Sequence, residues 1–366
     1  MTIKITVVIP TYKEAGNIEQ VSRRTHAALD ARGLSHEILF IDDNSQDGSA
    51  ELCQRLANEL PVSIIVRTEE RGLSTAVIRG IHEASGEYVV VMDADLSHPP
   101  EKIVDMVGLL ESGEADFVVG SRYVEGGSLG EEWGFFRRLN SLVATWLALP
   151  LVKVRDPMSG FFAFARGKTP PVQLLSPIGY KIGLELLVKG GFRKPREVPI
   201  HFVDRTEGES KMTMGEQIKY LRHLRRLYQY RYPTMSEFIH FGAVGASGYV
   251  VDLTIYLALQ TLFGIGDVMA RALSFWGAAS WNWAANRLFT FPHRKKTAKL
   301  LQWPAFVLTS TIGFTVNFGA YYLLTQYVPF FSDHRILAFT IGVLLGMGFN
   351  FTASRVFVFR PMERND

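Results

Sequence analysis

The sequence predicts an α/β domain built on a mainly parallel sheet, followed by an α-helical membrane domain of four helices. Up to about Tyr232, short β-branched runs of strand length alternate with charged helical stretches. From Phe238 to Phe359, charged residues nearly vanish and long apolar stretches succeed one another. The polar clusters of the first part fall where its strands are predicted to end, which is where such sheets bind ligands.

Five β-branched runs in the first part have the length of strands. They lie at 3–9, 37–41, 62–66, 87–92 and 116–120, with helices predicted over 17–31, 48–59, 73–84 and 100–112. Strands that alternate with helices indicate βαβ units and hence a parallel sheet. The clusters PTYKE, DDNS and DADLSH follow the first, second and fourth runs. We therefore expect their side chains to share the carboxyl edge of the sheet.

Four apolar stretches occupy the second part, near 238–263, 268–289, 303–328 and 335–359. Each is long enough to cross ~30 Å of hydrocarbon. The link between the second and third stretches, PHRKKTAK, is basic, whereas the other two links carry almost no positive charge. The positive-inside rule then predicts a multi-pass integral membrane protein whose N-terminal domain, middle link and C-terminus face the cytosol.

The membrane part contains an internal repeat. GYVVDLTIY at 248–256 matches GFTVNFGAY at 313–321, and NWAANRLFTF at 282–291 matches NFTASRVFVF at 350–359. Polar positions match as well as apolar ones, which favours duplication over chance similarity between apolar segments. We therefore expect two helical hairpins that are copies with the same orientation, related by a pseudo-twofold axis along the membrane normal.

The net charge of +3 is too small to suggest a nucleic-acid partner. Positive charge clusters at 219–231 and 293–299, which fits an anionic membrane surface. Apolar residues at helical spacing among the basic ones predict an interfacial amphipathic helix over 215–232, with a packed surface helix of the soluble domain as the alternative. The predicted divisions are a soluble domain at 1–211, an interfacial linker at 212–235 and a membrane domain at 236–366.

The motif VVVMDADLSHPPE at 89–101 places two carboxylates in a loop after an apolar strand. Asp93 and Asp95, two residues apart in an extended segment, point the same way. Such a pair suits a hard divalent cation that also takes diphosphate oxygens and offsets charge on a departing nucleotide diphosphate. Loop aspartates are usually only solvated, but their place at the end of a buried strand favours a metal site.

Two further clusters at the predicted sheet edge could hold a nucleoside. Tyr12 could stack on a base and Glu14 could hydrogen-bond base or ribose, unless the segment is simply a turn into a helix. Within LFIDDNSQDGS, Asp43 is favoured as the acceptor for a ring N–H or a ribose hydroxyl. Capping of the next helix is its alternative role, although Ser45 and Asp47 could fill that role alone.

Four cationic residues could bind phosphates: Arg122 in GSRY, Arg137 in WGFFRRLNS, and Arg205 and Lys211 in VDRTEGESKM. Arginine forms bidentate pairs with phosphate oxygens, and lysine supplies a point charge. A solvated surface position is the alternative for each. Arg137 precedes LVATWLALPLV, which is typical of a helix in the bilayer interface, where a cation is well placed for a lipid phosphate.

These segments together resemble the family 2 glycosyltransferases, and among them the polyprenyl- and dolichyl-phosphate mannose synthases. The resemblance runs through VVIPTYKE, IDDNSQD, RGLSTAVIRG, VMDADLSHPPE, GSRYVEGG, DPMSGFFAF, EVPIHFVDR and GESKM, and it covers residues 5–211 nearly continuously. Residues 238–359 are similar to the GtrA-like four-helix membrane domain. The resemblance implies a GT-A fold, a requirement for Mg²⁺ or Mn²⁺, and inversion at the anomeric carbon.

The resemblance also implies roles for individual residues. The nucleoside site would be lined by Pro10, Tyr12, Glu14, Ile41 and Asp43. Metal and diphosphate would be held by Asp93, Ala94 and Asp95, and the catalytic set would be Asp95 with the phosphate-binding Arg122, Arg137, Arg205 and Lys211. Ser97 is assigned to the same site because some archaeal relatives have a metal-site glutamine there. Asp156 in DPMSGFF is either a ligand of sugar hydroxyls or a structural turn residue.

The reaction implied by the resemblance is inverting transfer of mannose from GDP-mannose to a polyprenyl (dolichyl) monophosphate at the cytosolic membrane face. A phosphate monoester is largely dianionic at neutral pH, so it could attack without a protein base. One alternative is a polyprenyl-phosphate glucose synthase that uses UDP-glucose. Another, of a different class, is a flippase for lipid-linked sugar in the membrane domain.

Overall fold

The structure is a computed structural model that describes residues 3–128, 135–176, 178–202, 214–292, 294 and 298–360. The chain divides into two compact units, Met1–Arg231 and Tyr232–Asp366. The first unit contains a β-sheet with its helices, and the second contains the long apolar helices. We describe each unit by itself.

The first unit is built on a seven-stranded sheet. Its strands are β1 (Ile5–Thr11), β2 (His36–Asp42), β3 (Val62–Val66), β4 (Tyr88–Val91), β5 (Phe117–Ser121), β6 (Phe162–Ala165) and β7 (Pro195–Pro199). Their order in the sheet is β3-β2-β1-β4-β6-β5-β7. Strand β6 runs antiparallel to β4 and β5, and the other neighbouring pairs are parallel. The predicted mainly parallel sheet is therefore confirmed.

Helices cover both faces of this sheet. The helices of the unit are α1 (Ala15–Asp30), α2 (Ser49–Leu56), α3 (Leu73–Glu83), α4 (Lys102–Glu111), α5 (Phe135–Ala148), α6 (Ile182–Lys189) and α7 (Met214–Arg231). Val21 of α1 and Met106 of α4 belong to one buried cluster, and Val77 of α3 and Leu186 of α6 belong to another. Because the central strands β1, β4 and β5 have no solvated face, their sequences are near-continuous apolar runs.

Helix α7 packs on the first unit through one side. Tyr220 and Leu227 are buried in a cluster with residues of α5 and α6, and Tyr220 Oη donates a hydrogen bond to the carbonyl oxygen of Ala144 at 2.6 Å. Ile218 and Leu221 of the same helix are exposed. On the side that carries Tyr220 and Leu227, α7 is therefore the packed surface helix that was the alternative prediction. The other side stays available for the predicted membrane contact, and the predicted division at 212–235 remains a prediction.

The second unit contains the helices α8 (Pro233–Thr261), α9 (Asp267–Ala285), α10 (Lys299–Tyr327), α11 (Pro329–Asp333) and α12 (Arg335–Ala353). Helix α8 packs chiefly on α9, and α10 packs chiefly on α12. Three described segments are long and apolar enough to cross a membrane: Pro233–Thr261, Lys299–Tyr327 and Arg335–Val358. Helix α9 is the fourth long helix, and it carries the charges of Asp267 and Arg271.

The two hairpins, α8 with α9 and α10 with α12, repeat each other in detail. Helices α9 and α12 both continue into π-helical turns, at Asn286–Thr290 and Ser354–Val358. Gly248 lies against the amide of Asn282, and its counterpart Gly313 lies against the amide of Asn350. The predicted duplication of a helical hairpin is therefore confirmed.

The two copies also exchange polar contacts. Arg287 of the first hairpin donates a hydrogen bond to Oε1 of Gln302 in the second hairpin. Conversely, Nε of Arg355 in the second hairpin forms an ion pair with Oε2 of Glu237 in the first, at 2.9 Å. Glu237 and Gln302 are 65 residues apart, the same offset that separates Gly248 from its counterpart. The two contacts are therefore equivalent under a pseudo-twofold relation.

The close packing within each copy predicts the effect of a single methyl group at Gly313. A Cβ there would stand 2.6 Å from Nδ2 of Asn350, so we expect Gly313→Ala to destabilise the second unit by about 1–3 kcal/mol. Thermal unfolding of the full chain in detergent measures the effect. Gly319→Ala, in the same helix, is the matched control, because nothing lies within 4 Å of a Cβ at that position. Equal unfolding midpoints for the two variants would contradict this packing.

Candidate active site

The sheet topology brings the predicted polar residues to one edge. Strands β4 and β5 are both antiparallel to β6, so they share a direction with each other and with β1 and β2. The loops after these four strands carry Tyr12, Asp43, Asp93 and Arg122, and the loop into β6 carries Asp156. We call these loops the rim, which comprises residues 10–14, 42–47, 92–98, 122–124 and 155–160.

The rim contains the uncommon backbone conformations of the described chain. Four non-glycine residues have positive φ, and all lie in the rim: Lys13, Asn44, Gln46 and Leu96. Such a conformation costs about 1–2 kcal/mol for a residue with a side chain, and it concentrates at functional sites. Leu96, with φ of 59°, directly follows Asp95. The turn that carries the two predicted metal ligands therefore has an energetically unfavourable backbone conformation.

Asp95 is oriented by a neighbouring serine. The backbone N–H and the hydroxyl of Ser97 both donate to Oδ1 of Asp95, at 3.1 and 2.6 Å. Ser97 is buried, as is Ala94, whereas Asp93 and Asp95 are half-buried. The hydroxyl of Ser97 is thus committed to Asp95, so Ser97 supports a carboxylate of the predicted metal site through a hydrogen bond.

A buried imidazole supports Asp93. Nδ1 of His98 accepts the backbone N–H of Asp93 at 3.1 Å, and the His98 ring stacks on Phe161 with centroids 5.3 Å apart. Burial lowers the pKa of His98, so the ring is neutral at pH 7 and carries its proton on Nε2. A Cβ on Gly160 would stand 3.5 Å from both carboxylate oxygens of Asp93. His98 is a residue that sequence reasoning missed, although it lies in the DADLSH motif itself.

Asp43 is held in a buried ion pair. Nε of Arg67 donates to Oδ1 of Asp43 at 2.8 Å, and the N–H of Gly72 donates to Oδ2 at 2.7 Å. Sequence reasoning missed Arg67, whose position directly after the third apolar run was the available signal. The alternative role of helix cap falls to Asp47, which accepts the N–H of Ser49 at 3.1 Å. The carboxylate of Asp43 is therefore fixed in place at the rim.

The other predicted nucleoside residues differ in exposure. Tyr12 is exposed, and Cζ of Arg71 lies 5.8 Å from its ring centroid. Pro10 and Glu14 are half-buried. The side chain of Ile41 is fully buried in the core against α3. Because the side chain is buried, only the backbone of Ile41 is available for the predicted contact with a nucleoside.

Arg122 is bound within the protein. Its Nε and Nη2 each donate to the carboxylate of Asp156 at 2.8 Å, and its backbone N–H donates to the same carboxylate at 3.1 Å. Asp156 is fully buried, and its N–H donates to Glu197 at 3.0 Å. Burial opposes the charge on Arg122, but the hydrogen bonds to Asp156 outweigh it and raise the pKa of Arg122. Of the two predicted roles of Asp156, this geometry supports the structural one.

Three predicted cations cannot be placed at the rim. Arg205 and Lys211 fall within 203–213, outside the described residues. The backbone of Arg137 belongs to α5, but its side chain is likewise outside the description. Helix α5 exposes Leu142 and Trp146, the latter to 71%, which is the pattern expected of an interfacial helix.

Comparison with known proteins identifies the class of both units. Residues 6–165 match the family model of glycosyl transferase family 2, and residues 240–359 match that of the GtrA/DPMS transmembrane domain. Together with the mainly parallel sheet, the first match confirms a GT-A glycosyltransferase domain. The second match and the apolar helices make the chain a membrane protein.

The relatives narrow this class further. The dolichol-phosphate mannosyltransferase of Pyrococcus furiosus is 38% identical over 360 residues, an alignment that covers 96% of this chain and 98% of that relative. The protein of the same name from Saccharomyces cerevisiae is 42% identical over 242 residues, which are 63% of this chain and 90% of the yeast protein. The chain therefore belongs to the dolichol-phosphate mannosyltransferase family.

Solved structures also show similarity to the chain. Mannosyl-3-phosphoglycerate synthase from Rubrobacter xylanophilus is 19% identical, with a TM-score of 0.47 over 62% of this chain and 74% of that one. Glucosyl-3-phosphoglycerate synthase from Mycobacterium tuberculosis, in complex with Mn²⁺, UDP and glucosyl-3-phosphoglycerate, is 21% identical, with a TM-score of 0.44 over 62% and 79% of the two chains.

Proposed function

We propose that the protein transfers mannose from GDP-mannose to a polyprenyl (dolichyl) monophosphate, with inversion at the anomeric carbon. The observation that carries this proposal is the pair of Asp93 and Asp95 at the rim of a glycosyltransferase sheet, in a chain that also has a membrane domain. Relatives named dolichol-phosphate mannosyltransferase, from an archaeon and two fungi, support mannose as the sugar and a polyprenyl phosphate as the acceptor.

The carboxylates at the rim fit a divalent metal ion. Mg²⁺ and Mn²⁺ prefer carboxylate oxygens, and the half-burial of Asp93 and Asp95 leaves them accessible to a diphosphate. We assign both residues to the metal, with Ala94 at the diphosphate and Ser97 orienting Asp95. When bound, the ion supplies positive charge that offsets the negative charge on the departing nucleotide.

The nucleoside is assigned to Pro10, Tyr12, Glu14, Asp43 and the backbone of Ile41. The exposed ring of Tyr12 is available to stack on a base. Arg67 and Gly72 already hold the carboxylate of Asp43, so it needs no rearrangement to accept a further hydrogen bond. An ionised carboxylate has about four acceptor positions, which leaves room for a ring N–H or a ribose hydroxyl.

The lipid phosphate needs no protein base in this proposal. Its second pKa is about 6, so it is largely dianionic at neutral pH and can attack the anomeric carbon directly. The residues of the chain then contribute position and charge stabilisation. We assign Arg122, Arg137, Arg205 and Lys211 to the phosphates of the two substrates, with Asp156 holding the guanidinium of Arg122 at the rim.

We further propose that the first unit lies on the cytosolic face of the membrane. The basic link between α9 and α10, PHRKKTAK, supports this orientation by the positive-inside rule. Trp146 of α5 and Ile218 and Leu221 of α7 are exposed apolar residues that suit the bilayer interface. A membrane-facing catalytic unit would place its rim within reach of a lipid-linked acceptor.

The proposal is tested with the purified full-length protein, a polyprenyl phosphate and either GDP-mannose or UDP-glucose. We expect a mannosyl lipid from GDP-mannose in the presence of Mg²⁺ or Mn²⁺, and little product from UDP-glucose, as judged by thin-layer chromatography and mass spectrometry. Preferential formation of a glucosyl lipid would establish the glucose alternative instead. A protein that transfers neither sugar to the lipid would refute the proposed function.

A further inference from the structure

Helix α6 begins directly after a lysine that reaches the rim. Nζ of Lys181 donates a hydrogen bond to the carbonyl oxygen of Met158 at 2.7 Å. Met158 lies in the rim loop between Asp156 and Gly160, and Gly160 lies beside the carboxylate of Asp93. Lys181 is therefore next to the proposed metal and phosphate site, although it is distant from that site in sequence.

Lys181 is half-buried, and no carboxylate among the described residues forms an ion pair with it. Lys189, at the other end of α6, by contrast forms an ion pair with the buried Glu185. The carboxylate of Asp156 is already taken by Arg122. An ammonium group has three donors, and Met158 accounts for one of those of Lys181. Nζ also lies 4.6 Å from the centroid of the Tyr180 ring, and the half-burial of Lys181 leaves the ammonium accessible to a ligand.

The charged groups that act on Lys181 are the guanidinium of Arg122 and the carboxylates of Asp156 and Asp93. Burial and the positive charge of Arg122 lower the pKa of Lys181 to about 8, while Asp156 and Asp93 oppose this effect. At pH 7 Lys181 is therefore still mainly charged. Because Asp156 neutralises Arg122 and Asp93 is assigned to a metal ion, the charge of Lys181 has no partner of its own.

The backbone of Lys181 is held firmly. Oγ of Ser74 donates to the carbonyl oxygen of Gly179 at 2.8 Å, and Gly179 has φ of +71°, which favours glycine. The ammonium is thus presented from a rigid framework, as a binding group requires.

We propose that Lys181 is a substrate-binding cation of the active site, and that its ammonium binds a phosphate oxygen. That oxygen belongs either to the diphosphate of the sugar donor or to the phosphate of the lipid acceptor. The inference rests on the proposed function, in which both substrates carry phosphate. A charge-assisted hydrogen bond to phosphate would use a donor of the Lys181 ammonium other than the one that Met158 accepts.

The test is Lys181→Gln in the full-length protein, which removes the charge and keeps a donor for Met158. We expect the KM of one substrate to rise about 10- to 100-fold, with little change in the thermal unfolding midpoint. Calorimetric titration with GDP-mannose shows whether Lys181 binds the diphosphate of the donor or the phosphate of the lipid acceptor. Weaker nucleotide-sugar binding assigns Lys181 to the donor diphosphate, and unchanged binding with a raised acceptor KM assigns it to the lipid phosphate. Lys181→Arg keeps the charge and should recover most of the affinity.

The matched control is Lys189→Gln, which removes the ion-paired lysine of the same helix. It should lower the unfolding midpoint and leave both KM values unchanged. If Lys181→Gln also lowers the unfolding midpoint and leaves both KM values unchanged, Lys181 has only a structural role and the inference is wrong. If Lys181→Gln does not fold, Lys181→Met is used instead, and the same rise in KM with little change in the unfolding midpoint is expected. Wild-type protein without transferase activity would refute the proposed function, whereas a wild-type KM for both substrates in active Lys181→Gln would refute this inference alone.

Discussion

Replacing Asp95 with alanine should lower the rate of mannose transfer about a hundred- to a thousandfold. The substitution removes one of the two carboxylates assigned to the metal ion, and with it the counter-charge for the departing nucleotide diphosphate. Initial rates are measured with labelled GDP-mannose and a polyprenyl phosphate over a range of Mg²⁺ and Mn²⁺ concentrations. Because Asp95 is half-buried but accepts two hydrogen bonds from the buried Ser97, we expect the unfolding midpoint to fall less than in Asp156→Ala.

Two control variants distinguish the loss of the Asp95 carboxylate from the loss of a neighbouring hydroxyl or of a surface charge. Ser97→Ala removes the hydroxyl that donates to Oδ1 of Asp95 but keeps both carboxylates, so we expect a loss of only about tenfold. Asp105→Ala on the surface of α4 should leave the rate unchanged. Transfer that persists in Asp95→Ala and also in wild-type protein treated with EDTA would show that the metal assignment is wrong.

Asp156→Ala should have the largest effect on stability. It leaves the guanidinium of Arg122 buried without its carboxylate, and removing one partner of a buried ion pair costs about 3–5 kcal/mol. For a unit of this size the thermal unfolding midpoint should fall by about 6–20 °C. The midpoint is measured by near-ultraviolet circular dichroism of the full chain in detergent, for the variant and the wild-type protein side by side.

A surface ion pair provides the comparison for this effect. Asp105 pairs with Lys102 at 2.9 Å while both side chains are exposed, so Asp105→Ala should shift the midpoint very little. The double variant Arg122→Met with Asp156→Leu removes both buried charges and should recover part of the stability. If Asp156→Ala were no more harmful than Asp105→Ala, the buried pair would not have the role described.

A strand that is buried on both faces has a continuous apolar sequence, and such strands could be predicted from the sequence. Strands β1, β2, β4 and β5 meet this condition, whereas the edge strand β3 is partly exposed but still an apolar run. The polar clusters after β1, β2 and β4 indicated the edge that forms the rim. Strand β6 has the sequence FAFA, without β-branched residues, and β7 carries two prolines and two charges, so neither has the β-branched apolar run of the other strands. Their pairing decides which loops meet, and periodicity in a sequence carries no information on the order or direction of strands.

The same limit applies to the partners of the site residues. Asp43 and Asp95 could be singled out because a carboxylate after a buried strand has few structural reasons to be there. The partner of Asp43 is Arg67, which directly follows β3, and the partner of Arg122 is Asp156, which lies in the loop before β6. Lys181 reaches the rim from a helix with no polar motif of its own. Such pairs depend on tertiary contacts, which a single sequence does not reveal.

The exchange of polar contacts between the hairpins has a consequence for how such a fold could arise. Arg287 and Arg355 each reach a polar residue of the other copy, which is the relation that identical chains adopt in a symmetric dimer. A lone hairpin would satisfy its arginine in this way only by associating with a second copy of itself. The two hairpins of the membrane unit therefore contact each other as the subunits of a homodimer would, and because one chain carries both copies, their association does not depend on protein concentration.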